Sequence, residues 1–86
     1  MRGVFLKIAG AMLGITLAFS AQALGKYDSE VQAQQHCPKD IVVWLNLQTM
    51  IWHTKGERWY GMTKNGAYVC RAEAAAEGAR GSKNGQ

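Results

Sequence analysis

Acidic residues are scarce in this 86-residue chain, with none before Asp28 and six in all. Proline occurs once, cysteine twice and serine three times, as Ser20, Ser29 and Ser82. No serine stands near a histidine in an arrangement suited to nucleophilic catalysis, and a cysteine nucleophile would need a thiolate that a disulfide removes. The carboxylates Asp28, Glu30, Asp40, Glu57, Glu73 and Glu77 show no pairing at sequence level that would mark a general acid and base. An enzyme is therefore the least supported class, and no catalytic residue is assigned. Internal repeats are absent. The apolar run Ile8 to Phe19 is interrupted by Gly10, Gly14 and Thr16 and is shorter than the roughly 18 to 20 residues a membrane-crossing helix needs.

What surrounds that run gives it a different meaning. Arg2 and Lys7 precede it and Ser20-Ala21-Gln22-Ala23 follows it, which is the charged, apolar and small-residue order of a Sec-type signal peptide. The expected signal covers residues 1–23, with mature protein beginning at Leu24; an uncleaved anchor is the alternative. No cysteine follows the cleavage site to carry a lipid. Export to the periplasm or the medium is the expected localisation. Loss of Arg2 and Lys7 leaves eight basic against six acidic residues, so the formal charge falls from +4 to +2. Backbone binding to nucleic acid needs clustered Lys or Arg, and so much weaker a charge argues against it. The expected partner is a periplasmic or extracellular protein, with no nucleic acid and no membrane after cleavage.

The remaining 63 residues make one domain with a small core. Chains of this size need a staple, and an even pair of cysteines in an oxidising compartment points to a Cys37–Cys70 disulfide. Closing that loop is worth about 3 to 4 kcal/mol in the chain-entropy account. Free or metal-bound thiols are the alternative.

Along the mature chain, residues 24–36 read as a polar, mobile lead-in with short helical character around Ser29 to Gln35. An α+β microdomain is expected over 37–80 and a disordered tail over 81–86. Pro38 suits a strand entrance, having no amide hydrogen to donate. Ile41 to Leu47 (IVVWLNL) is the strongest strand signal, with Ile41, Val43, Leu45 and Leu47 expected on the core face. Met50 to His53 predicts its hairpin partner. Asn65-Gly66 between Trp59–Met62 and Ala67–Cys70 predicts a second hairpin. Ala72, Ala75, Ala76 and Ala79 fall at helical spacing on one face, and Gly78 is placed to end that helix. The fold expected is three to four short antiparallel strands with one short C-terminal helix, stapled by the disulfide.

The chemistry-bearing side chains concentrate between His53 and Tyr68. His53, Arg58, Trp59, Tyr60, Lys64 and Tyr68 form a candidate binding surface, since aromatic and arginine side chains dominate contact energies. The competing reading buries Trp59, Tyr60 and Tyr68 as the second half of a small core. His53 with Glu57 lacks third and fourth ligands once the cysteines pair, and His36 falls in the lead-in, so no metal and no cofactor is expected.

The segments Val42–Asn46, Trp52-His53, Gly56–Tyr68, Glu73-Ala74 and Gly78–Arg80 resemble a group of small exported bacterial proteins. Their shared pattern is W-x-N, aromatic-His, G-x-R-W-Y-G-x-T-K-x-G-x-Y, E-A and G-x-R, and the resemblance implies a fold rather than an activity. More distantly, the order of strand, aromatic-His, turn, strand, E-A helix and G-x-R is similar to the zinc-binding module of the Ada alkylation-repair protein. That similarity implies a compact α+β scaffold with thiolate zinc ligands. Glu57 here stands where some related sequences carry a cysteine after the glycine. The reading reached is an exported, non-catalytic binding or structural domain. A zinc-binding module using His53 and the two thiols is one alternative, and a small secreted enzyme or enzyme inhibitor is another.

Overall fold

The computed structural model describes residues 23–85, and the expected signal segment up to residue 22 lies outside them. Helix α1 (Glu30–His36) is followed by strands β1 (Val42–Asn46), β2 (Ile51–His53) and β3 (Gly66–Cys70), helix α2 (Arg71–Ala76) and strand β4 (Arg80–Gly81). The strands form one sheet in the order β3-β1-β2-β4. Pairing is antiparallel for β1 with β2 and with β3, and parallel for β2 with β4. This is a small α+β domain, with a second helix and a parallel edge strand beyond the expected inventory.

β1 is central, and Val42, Val43, Trp44 and Leu45 are all buried. A strand covered on both faces reads as a continuous apolar run rather than an alternation, which is why one core face was expected and two are found. On one face Val43 and Leu45 pack with Ala67, Val69, Ala74 and Ala79, and Leu24, Met50 and Trp52 close around them. On the other, Trp44 stands across from His53 and Tyr68, and Val42 across from Cys70. Ile41, at 48 % exposure, and Leu47, at 37 %, fall beyond the paired residues and leave the expected core.

The lead-in carries a helix and a bridge to the sheet. Ser29 caps α1, its hydroxyl accepting the Gln32 amide at 3.1 Å, and Ala33 is fully buried. Tyr27 extends the sheet edge by exchanging backbone hydrogen bonds with Tyr68. The disulfide joins Cys37, at the C-terminal end of α1, to Cys70, where β3 turns into α2, across 33 residues and a Cα separation of 6.2 Å. With its sulfur bonded, Cys70 caps α2 with no side-chain hydrogen bond. Asp40 supplies the cap instead, one carboxylate oxygen accepting the Ala72 amide at 2.8 Å.

The α2 register differs from the alanine stripe read in the sequence. Ala74 is fully buried and Ala79 nearly so, whereas Ala72, Ala75 and Ala76 face solvent. Gly78 does end the helix, at φ +94°, with the Gly78 amide donating to Ala75 and the Ala79 amide to Ala74. This paired arrangement needs a left-handed residue that glycine adopts without strain. The chain then enters β4, and Ser82 donates to Trp52 through its amide at 2.9 Å. Gly81 and Ser82, expected in a disordered tail, are thus part of the sheet edge.

The second hairpin does not form. Residues 54–65 make a series of turns, and β3 pairs with β1 rather than with Trp59–Met62. Gly66 serves another purpose than a tight turn: a Cβ there would overlap the Trp44 indole. The ring lies against the glycine and donates its Nε1 hydrogen to Thr63 Oγ1 at 2.8 Å. The β1–β2 connection is closed by Asn46, whose side-chain oxygen accepts the Gln48 amide at 2.9 Å, and by Met50 at φ +58°. A left-handed methionine is uncommon, and its packing against the core holds it there. Gly66→Ala is expected to cost about 1 to 3 kcal/mol through overpacking and to weaken the Trp44–Thr63 bond, read as a lower urea midpoint and a shifted Trp44 indole resonance.

Candidate functional site

The second face of the sheet is only partly roofed. α1 packs over β3 and β1, and beyond it the face of β2 and β4 is left as the floor of an open groove of about 600 Å³. Ile51 and His53 share this face of β2; register sets Asn46 and Arg80 beside Ile51 on either side. The 54–65 loop forms one wall with Trp59, Met62, Thr63 and Lys64, and Ser82, Lys83 and Asn84 form the other. The volume is that of a small-molecule pocket.

His53 is the buried polar residue of the groove, 7 % exposed. Its Nδ1 has no hydrogen-bond partner. The nearest carboxylate oxygen, Glu57 Oε1, is 3.9 Å away and already accepts the Thr54 amide at 2.9 Å. A separation of 3.9 Å is too long for a hydrogen bond, and an unsatisfied buried polar atom costs about 1 to 3 kcal/mol. His53 thus keeps one buried ring nitrogen without a hydrogen-bond partner in the protein.

The structure divides the candidate binding surface. His53, Trp59 and Lys64 meet in the groove. Arg58 lies over the Trp59 ring, 4.9 Å from its centroid, and braces it from outside. Tyr60 and Tyr68 lie elsewhere, stacked edge-to-face on one another at 5.6 Å, with Tyr68 also against Trp44 at 4.9 Å. Both are half-buried packing residues, while Trp59 is 37 % exposed. Asn46, Thr49, Met62, Arg80 and Lys83 also line the groove, and nothing in the sequence singles them out as a site. Arg80 and Lys83 had been placed at the end of the domain and in the tail, so only the parallel β4 pairing brings them here.

The groove wall is held by a clamp on α1. Glu30 accepts from Lys55 Nζ and from the Tyr60 hydroxyl, both at 3.0 Å. The Lys55 hydrogen bond, then that of Tyr60, holds the Glu30 carboxyl below its ordinary value. Burial, then the bond to Glu30, pushes the Tyr60 phenol above its own. The lowered Glu30 stabilises the fold above the unfolded carboxylate value and loses that contribution as pH falls through the folded value. The raised Tyr60 stabilises below the unfolded phenol value and loses that contribution as pH rises through the folded one. Tyr60→Phe is expected to lower the neutral-pH urea midpoint modestly and to flatten its decline in strong alkali; an unchanged alkaline profile would contradict the clamp.

A second cluster lies on the far side. His36 Nε2 and Glu73 Oε2 are 2.7 Å apart, and Cys70 Sγ falls within 4.8 Å of the ligand atoms of both. In the sequence His36 falls in the lead-in and His53 in the segment rich in reactive side chains, yet the fold brings His36, not His53, to Cys70. The Cys70 sulfur is bonded to Cys37, which leaves two ligand atoms where structural zinc needs four.

Among the described residues no helix is long and apolar enough to cross a membrane. A disulfide of this kind belongs to an oxidising, extracytoplasmic compartment. No protein-family model, characterised protein or solved structure matches the chain.

Proposed function

We propose that this is an exported, non-catalytic binding module whose ligand sits in the groove between the 54–65 loop and β4. The observation that carries the reading is the convergence on one concave face of an exposed tryptophan, an exposed methionine and the buried, unpartnered His53. Large apolar side chains left exposed beside fixed polar groups are the usual make-up of a ligand pocket. A signal peptide over 1–23 and release at Leu24 fit the disulfide chemistry. The zinc-module alternative would need the Cys37–Cys70 bond opened and His53 brought to the thiols.

Trp59→Ala separates binding wall from core. As a groove residue, Trp59 can be truncated for less than about 1 kcal/mol, whereas loss of a core indole costs about 3 to 5 kcal/mol. Chemical denaturation should show near-native stability, and ligand-observed NMR with a small-molecule fragment set should show hits on the native protein that the variant loses. A variant that unfolds, or a native protein that takes no fragment, would overturn the proposal.

A further inference from the structure

We infer that the groove selects a small organic anion, a carboxylate or phosphate carrying an apolar body; this rests on the binding reading above and names its ligand class. Three cations converge on the groove from different elements: Lys64 from the loop, Arg80 from β4 and Lys83 from the C-terminal segment. Among the described residues no carboxylate lines it, the one next to its lining being Glu57 behind His53. None of the three is engaged in an ion pair among the described residues. Cations gathered around a concavity and left unneutralised favour an anionic guest and repel a cationic one.

The apolar part of the guest has its own surface. Trp59 and Met62, the latter 68 % exposed, stand on the same wall as Lys64, with Ile51 on the floor. An inorganic anion would leave this surface wet. A volume of about 600 Å³ is in the range of a small-molecule site.

His53 is the independent observation. Its side chain is nine-tenths buried, lines the groove and has Nδ1 unsatisfied. A neutral imidazole always carries one N–H donor; Nδ1 stands 3.9 Å from the Glu57 carboxylate, so an anion in the groove would accept from this ring through Nε2, as well as from the cations. Replacing an unsatisfied buried polar ring by an apolar one of similar shape is neutral or stabilising. His53 thus serves binding at the expense of stability.

The test is a titration of the oxidised protein followed by amide and indole NMR shifts, using octanoate and octyl phosphate against octanol, octylammonium and inorganic phosphate. Octanoate and octyl phosphate should shift Asn46, His53, Lys64, Arg80 and the Trp59 indole, and bind at least about tenfold tighter than the other three. Lys64→Ala and Arg80→Ala should each weaken octanoate about tenfold, and Val31→Ala, on the exposed side of α1, should leave it unchanged. His53→Phe should weaken octanoate while melting at or above the native temperature. Octanol or octylammonium binding the groove as tightly would overturn the anionic assignment and leave the binding module standing. No groove shift with any probe would overturn both. Co-sedimentation with phosphatidylglycerol but not phosphatidylcholine vesicles, without response to octanoate, would replace the soluble anion by a lipid headgroup.

Discussion

The disulfide between Cys37 and Cys70 is the constraint from which the rest of this domain follows. It fastens α1 to the junction of β3 and α2, and α1 in turn holds the loop that makes the groove. Glu30, in the first turn of the helix, receives Lys55 and Tyr60. Thr63 receives the Trp44 indole from the sheet below. The groove wall is therefore suspended between a disulfide-anchored helix and the central strand. A loop with turns alone and no packed face of its own would not keep Trp59 and Lys64 in register with β4.

Small size explains the economy of the packing. The fully buried large side chains are few, chiefly Val43, Leu45 and Val69, and alanines do much of the remaining contact. Ala33, Ala74 and Ala79 let both helical segments approach the sheet closely, and Gly66 lets the Trp44 ring lie on the backbone of the neighbouring strand. Such a core leaves little surplus over chain entropy. In that setting the cost of an unsatisfied His53 is a sizeable fraction of the whole, which is why its place in the groove carries meaning.

Legibility in the sequence followed the range of the interactions. The strand at Val42–Leu45, its hairpin with Ile51–His53, the glycine stop at Gly78 and the cysteine pairing rest on local patterns or on a choice with one partner, and they are present in the structure. Features decided by distant contacts were misread. The Asn65-Gly66 pair has the form of a hairpin turn, yet glycine is there because of Trp44, twenty-two positions earlier. The lead-in is polar because α1 buries only Ala33 and exposes most of the rest. Of the candidate surface, His53, Trp59 and Lys64 fall in one groove, but Tyr60 and Tyr68 turned to packing, and the cations of β4 and the C-terminal segment carried no local signal.

The dependence of the groove on the disulfide is tested most directly by amide hydrogen exchange on oxidised and reduced protein. The sites to read are Tyr68, Leu47 and Met62, whose amides donate to Tyr27, Asn65 and Trp59. They sample the sheet edge, the strand end and the loop. On this account reduction removes about 3 to 4 kcal/mol, and protection falls at all three together, the loop included. Protection at Met62 and Leu47 that is the same in both redox states would show that the groove stands without the staple, and would contradict the account.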